Sequence, residues 1–123
     1  MPDEASAAGD ALLKIVCEHG ALVPALWPSE IANGLLMAQK RGRLSAAQRS
    51  AFVEELLKLP ITVESIQLRS ALEVQSRVAE QYGLTVYDAA YLDLALRKGL
   101  PLASNDKLLR AAARMAGVAL LPA

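Results

Sequence analysis

The stretch "TVYDAAYLDLALRKGLPLASND" (residues 85–106) holds the signals that decide the fold. Thr85 stands three positions before Asp88, the spacing of a helix N-cap in a capping box. The aromatic and apolar residues that follow predict a helix ending at Gly99, and the apolar run "LPLAS" predicts a short strand. Asp106 then occupies the position of a second N-cap. The stretch therefore predicts a helix, a strand and a second helix in close succession.

The same alternation of helices and strands extends over the whole chain. Helical periodicity and start or stop residues predict helices at about 5–19, 28–40, 45–58, 67–82, 85–98 and 107–116. Short apolar runs predict strands at about 21–26, 61–66, 100–104 and 118–123. This order is typical of an α/β fold with a mostly parallel sheet covered by helices on both faces. Because no linker or repeat interrupts the 123 residues, we expect a single domain over 1–123.

Composition excludes several classes of protein. The 13 Lys and Arg residues balance 13 Asp and Glu, so the chain has no overall basic charge of the kind that binds nucleic acid. Cys17 has no partner for an internal disulfide, and a single histidine, His19, excludes a histidine-based zinc site. No apolar run reaches the roughly 18 residues of a membrane span. The acidic start "MPDEASAAGD" lacks the basic residues of a signal peptide, so we expect a cytoplasmic protein.

Three acids mark the candidate functional site. Ligands of parallel α/β sheets bind beyond the carboxyl ends of the strands, and Glu30 and Asp106 follow predicted strands. Each acid also has a structural explanation. Asp88 fits the third helical position of a capping box, Glu30 falls in the first turn after Pro28, and Asp106 fits an N-cap. From the residues alone, both interpretations stay open.

The neighbours of these acids favour a metal site. Apolar residues flank all three, and no basic residue lies within four positions of Glu30 or eight of Asp88. Clustered carboxylates repel one another until a divalent cation lies between them, and Mg²⁺ or Mn²⁺ suits an all-oxygen site. Asp93 lies five residues after Asp88, about 140° around the helix, so we expect it outside the site, in solvent or at a subunit contact.

Two segments resemble the PIN domain, and more closely the VapC-type ribonuclease toxins of bacterial toxin–antitoxin pairs. They are "PSEIANGL" and "LTVYDAAYLDLALRKGLPLASND", in the same order and spacing. The resemblance implies a three-layer α/β/α fold and an acidic quartet that binds Mg²⁺ or Mn²⁺ and cleaves RNA. By this resemblance Glu30 is the second acid, Asp88 the third and Asp106 the fourth, supported by the hydroxyl of Ser104.

One part of the family pattern is missing from this sequence. The family begins with a central strand ending in the first acid, whereas this chain begins "MPDEAS", where Asp3 and Glu4 match the loop after that acid. We therefore expect an N-terminally truncated chain with three of the four acids, weak metal binding and impaired cleavage. Without that strand, the runs "ALVPAL" and "LPLAS" would lie on either side of a gap in the sheet. Neighbouring strands lie about 4.8 Å apart, so each missing strand would leave a gap of that spacing with unpaired strand edges.

Two functions follow from the resemblance, and a receiver-like phosphoryl-transfer domain is a third, weaker alternative. The first is a metal-dependent endoribonuclease toxin, and the alternative is a non-catalytic PIN-fold module that binds an antitoxin or RNA. A receiver-like phosphoryl-transfer domain would need a lysine at a late strand, and "VALLPA" has none. Lys107, Arg110 and Arg114 share one helix face, which is either solvated or a phosphate-binding stripe. The implied partners are RNA, a small cognate antitoxin and a second copy in a homodimer, without a membrane.

Overall fold

A computed structural model describes residue 16 and residues 18–122. The strands within this part of the chain are β1 (Ala21–Pro24), β2 (Ile61–Glu64), β3 (Leu102–Ala103) and β4 (Leu120–Leu121). The α-helices within it are α1 (Trp27–Lys40), α2 (Ala46–Leu57), α3 (Ser76–Tyr82), α4 (Val86–Lys98) and α5 (Lys107–Ala116). The residues group into two compact units, an N-terminal unit up to Glu64 and a C-terminal unit from Ser65 onward.

The N-terminal unit is built on a parallel pair of strands. β1 pairs with β2 in the register Ala21 to Ile61 through Pro24 to Glu64. Gly20 precedes β1 with a φ of 79°, and the Ala21 amide donates to the carbonyl oxygen of Pro60 at 3.0 Å. A Cβ atom on Gly20 would lie 3.0 Å from that same carbonyl oxygen, so this close approach of two backbones requires glycine.

Start and stop residues set the two helices of this unit. α1 has Pro28 in its first turn, where the missing amide hydrogen costs nothing. α2 begins after a complete capping box. The Ser45 hydroxyl accepts from the Gln48 amide at 3.0 Å, and the Gln48 side chain accepts from the Ser45 amide at 2.9 Å. The predicted helix start at Ser45 is therefore confirmed.

The C-terminal unit begins with a long helical segment that is not uniform. Residues Ser70–Gln75 form a π-helical stretch, which continues into α3 and ends at Gly83. After α4 and β3 the chain enters α5 and then β4, which pairs parallel with β3 through Leu102 to Leu120 and Ala103 to Leu121. Parallel pairing of both strand pairs confirms the mixed α/β class.

The core of the C-terminal unit lies between α4, β3 and α5. Its buried residues are Leu92, Ala95, Leu102, Leu109, Ala112 and Ala113. Half of them are alanines, and small side chains let the two helices approach each other closely. Leu92 is the one large side chain that is fully buried among the described residues, so α4 is the central element of this core.

Several expectations change against the structure. The strands are two to four residues long, shorter than predicted, because Ala25 and Leu26 form a turn and only part of each apolar run pairs with a neighbour. Each sheet has two strands within the described residues, so a three-layer fold remains a prediction. The expected missing strand, Asp3, Glu4, Cys17 and most of the 5–19 helix lie outside the described residues. No helix in residues 18–122 is long and apolar enough to cross a membrane.

Candidate functional site

Asp106 is held at the end of β3 by a local hydrogen-bond network. Ser104 directly follows the strand, and its hydroxyl accepts from the Asp106 amide at 3.0 Å. Oδ2 of Asp106 accepts from the Leu109 amide at 2.9 Å, which makes Asp106 the N-cap of α5. The predicted cap is therefore confirmed. Its second carboxylate oxygen accepts no hydrogen bond from the described residues, so the cap leaves it available to a ligand.

Arg110 holds the same loop from the other side. Its Nη1 atom donates to the carbonyl oxygen of Ser104, and Nη2 donates to the carbonyl oxygen of Pro122, both at 2.8 Å. These bonds join the end of β3 to the chain beyond β4. The sequence leaves Arg110 either on a solvated face or in a phosphate-binding stripe, whereas in the structure its guanidinium fixes the loop that carries Asp106. No sequence signal identifies this role, since the acceptors are backbone atoms six and twelve residues away.

Asp88 lies in the first turn of α4 and is half-buried. The Thr85 hydroxyl accepts from the Asp88 amide at 3.1 Å, so Thr85 is the N-cap as predicted. The reciprocal bond of a capping box, from the Thr85 amide to the Asp88 carboxylate, is not formed. The Asp88 side chain is therefore not used in the cap, and its carboxylate stays available at the positive end of the helix.

The chain between Asp88 and Asp106 runs along α4 and then turns back over it. The 13 residues of α4 span about 20 Å. Leu102 of β3 belongs to the same buried cluster as Leu92 and Ala95 of α4. Ser104 and Asp106 follow the carboxyl end of β3, which is where ligands of parallel sheets bind. The convergence of Asp88 on this end stays a prediction.

Glu30 belongs to the N-terminal unit. It lies exposed in the first turn of α1, six residues beyond the end of β1. Its position relative to its own unit therefore matches that of Asp106 in the other unit: each acid opens the helix that follows a parallel strand. Its convergence with Asp88 and Asp106 stays a prediction.

Asp93 corrects an expectation of the sequence analysis. Its side chain is only 5% exposed, and one of its oxygens, Oδ2, accepts from Nε of Arg97 at 2.9 Å. It is therefore a buried ion-pair partner within α4, not a solvated residue. The spacing of four residues is the ordinary one for an ion pair along a helix, so the sequence carried a signal for it.

The acids have the chemistry that a hard divalent cation requires. Carboxylate oxygens are the protein ligands that Mg²⁺ and Mn²⁺ prefer, and Asp88 and Asp106 are both carboxylates of the C-terminal unit. Within residues 18–122, no three Asp, Glu, His or Cys side chains form a group that could hold a metal ion. The side chains fit such an ion by type, and their convergence stays a prediction.

The cations of α5 differ in how accessible they are. Lys107 and Arg114 are exposed, whereas Arg110 is half-buried in the contacts described above. Lys107 follows Asp106 directly, so its ammonium group belongs to the first turn of the helix that the acid caps. Of the three residues of the predicted RNA-binding stripe, Lys107 is therefore the one nearest to the candidate site along the chain.

The parallel strands and the helices that follow them define a mixed α/β domain. A family profile described as PIN domain matches residues 2–115, and the chain therefore belongs to the PIN domain family. The match runs from residue 2 and does not confirm the expected loss of a first strand.

Two relatives come from Pyrobaculum aerophilum. The chain is 34% identical over 80 residues to Ribonuclease VapC3, in a match that covers 65% of this chain and 61% of that protein. The chain thus spans about three fifths of the length of the curated relative it matches. It also resembles the crystal structure of PAE2754, with a TM-score of 0.60, 26% sequence identity and coverage of 83% of each chain.

Proposed function

We propose that this protein is a divalent-metal-dependent endoribonuclease, the toxin component of a type II toxin–antitoxin system. Its membership of the PIN domain family and its similarity to a protein named as a ribonuclease support this proposal. The observation that carries it is that the caps of α4 and α5 leave carboxylate oxygens of Asp88 and Asp106 available.

Each residue of the site has a role in this proposal. Glu30, Asp88 and Asp106 would hold Mg²⁺ or Mn²⁺, which when bound lowers the pKa of a coordinated water and stabilises charge on the scissile phosphate. Ser104 and Arg110 fix the loop that orients Asp106, and Lys107 attracts the phosphate backbone of the RNA.

The experiment is an RNA cleavage assay with Mn²⁺ or Mg²⁺ on the wild type and on Asp88→Asn. The substitution keeps the size of the side chain and removes its charge, so we expect cleavage to be lost while the fold is retained. Glu80→Gln is the matched control, because Glu80 is an exposed acid on α3. Cleavage by Asp88→Asn at the wild-type rate would refute the assignment of the site.

A non-catalytic module that binds an antitoxin or RNA is the second candidate. It is favoured by one observation, that no three potential ligands are grouped as a metal site within the described residues. Calorimetry with millimolar Mn²⁺ separates the two functions. Heat of binding that disappears in Asp106→Asn supports the nuclease, and the absence of any heat in the wild type supports the binding module.

Protein partners of the proposed toxin are a small cognate antitoxin and a second copy of the chain. The N-terminal unit supports protein contacts because α2 exposes Phe52, Val53 and Leu57 on one side. An open groove of about 240 Å³ between α1 and α2 borders this side. Sedimentation velocity tests the homodimer, for which we expect a species of two chains that Leu57→Glu dissociates.

A further inference from the structure

Three exposed apolar side chains lie close to Asp88 and Asp106 along the chain. They are Val86 and Tyr87 in the first turn of α4 and Leu108 in the first turn of α5. Tyr87 is 65% exposed and Leu108 is 69% exposed. We call this set the apolar rim. Val86 and Tyr87 directly precede Asp88 in α4, and Leu108 follows Asp106, the N-cap of α5, by two residues.

Core positions lie close to each rim residue along the two helices. One residue after Asp88, Ala89 is completely buried, and one residue after Leu108, Leu109 is buried in the core. Tyr91 lies four residues after Tyr87, on the same side of α4, and packs against the core. Tyr87 is therefore exposed because it lies in the first turn, beyond the end of the core that shields Tyr91.

A substrate with phosphates meets an electrostatic difficulty at these acids. In the metal-free protein the carboxylates of Asp88 and Asp106 repel a phosphate backbone, and the chain as a whole has no net charge to attract it. Lys107 supplies one exposed cation beside them. Affinity for RNA at such a site needs a contribution that does not depend on charge, and stacking of a base on an aromatic ring provides one.

We propose that Tyr87 is a stacking platform for an unpaired base of single-stranded RNA bound at the Asp88–Asp106 site, with Val86 and Leu108 bordering the ring. This inference rests on the proposed function, since it concerns the same site. Tyr87 takes no part in the chemistry and contributes binding. Because a base inside a duplex is already stacked and paired, the platform selects single-stranded over double-stranded RNA.

The test measures binding without cleavage. A fluorescein-labelled single-stranded RNA of about twelve nucleotides, the size range of single-strand binding sites, is titrated with protein in EDTA and followed by anisotropy. We expect Tyr87→Ala to bind about 5- to 100-fold more weakly, the range for loss of one stacked base. Tyr87→Phe keeps the ring and should stay within about twofold of wild type, whereas Tyr87→Leu should weaken binding as Ala does, because it keeps apolar bulk without a ring.

Matched controls separate stacking from other effects. Met115→Ala removes an exposed apolar side chain from the last turn of α5 and should leave affinity unchanged. The ratio of wild-type to Tyr87→Ala affinity should stay constant as salt rises, whereas the ratio for Lys107→Gln should shrink, since only the lysine acts through charge. Urea unfolding checks that each variant is folded.

The outcomes distinguish this inference from the proposed function. Loss of affinity in Tyr87→Ala, recovered in Tyr87→Phe and absent for duplex RNA, supports the platform even in a protein that cleaves nothing. Equal binding by wild type and Tyr87→Ala overturns it even if the protein cleaves RNA. It is also overturned if wild type does not bind the probe, or if Tyr87→Ala weakens single-stranded and duplex binding equally.

Discussion

The two roles of Asp106 can be separated by two substitutions. Asp106 caps α5 through the 2.9 Å bond from the Leu109 amide to Oδ2, and it is a proposed metal ligand. Asp106→Asn keeps an oxygen that can accept this bond and loses only the charge at the helix N-terminus, about 0.3–1 kcal/mol of stability. Asp106→Ala loses the cap as well, which costs about 1 kcal/mol more. We therefore expect the alanine variant to unfold about 4 °C below the asparagine variant.

Metal binding should respond differently from stability. A ligand that binds only the folded state at ten times its Kd stabilises it by about 1.4 kcal/mol. We expect Mn²⁺ to raise the melting temperature of the wild type and to leave both Asp106 variants unchanged, because each lacks the carboxylate. RNA cleavage should be lost equally in both. The assays are urea and thermal unfolding in EDTA and in excess Mn²⁺, followed by circular dichroism.

Two results would refute this reasoning. If the asparagine variant is as unstable as the alanine variant, the hydrogen bond to Leu109 does not carry the stability that the cap implies. If the asparagine variant still gains stability from Mn²⁺ and still cleaves RNA, Asp106 is a cap and not a ligand. Asp106→Ser is a further control, since serine caps helices as well as aspartate but cannot replace the carboxylate.

Three further changes test the fold, each by urea unfolding. Arg110→Met should cost about 2 kcal/mol because two carbonyls lose a charged donor, and a cost near zero would show that water replaces it. Arg97→Met should lower the free energy of unfolding by about 3 kcal/mol, because it leaves the buried Asp93 carboxylate without this charged partner. Asp93→Asn should lower it by less, and the reverse order would contradict the burial of this pair. Gly20→Ala should lower the free energy of unfolding by about 2 kcal/mol and Gly42→Ala by about 1 kcal/mol. Both glycines have positive φ, but only a Cβ atom on residue 20 would meet a backbone oxygen. Equal losses for the two variants would refute the close approach at Gly20.

Local signals in the sequence were sufficient for most helix boundaries. The sequence predicts Thr85 and Asp106 as N-caps and Ser45 as a helix start, and each of the three side chains accepts a backbone hydrogen bond as an N-cap. A cap depends on atoms three residues away, so the sequence contains both partners. Parallel strand pairing was also predictable, because helices separate the paired strands and only a crossover joins them.

Features that depend on distant atoms were not predictable. Arg110 looked like a surface cation because its two acceptors are carbonyls that only the folded chain brings near it. The strands are shorter than the apolar runs that predict them. A strand ends where it no longer pairs with its neighbour, and hydropathy does not show where pairing ends. The π-helical stretch at Ser70–Gln75 has no glycine or proline to announce it.

The structural and functional interpretations of the acids began as alternatives, and the geometry makes them compatible. A carboxylate has two oxygens, and the cap of α5 uses one oxygen of Asp106. That bond fixes the orientation of the Asp106 side chain, and Ser104 and Arg110 fix the loop between β3 and α5. The second oxygen of Asp106 can therefore bind a ligand without further loss of side-chain entropy. At Asp88 the cap is formed by Thr85 instead, and the whole carboxylate stays available. A helix cap at the carboxyl end of a strand is thus a means of holding a ligand oxygen in place, and finding the cap is no argument against the metal site.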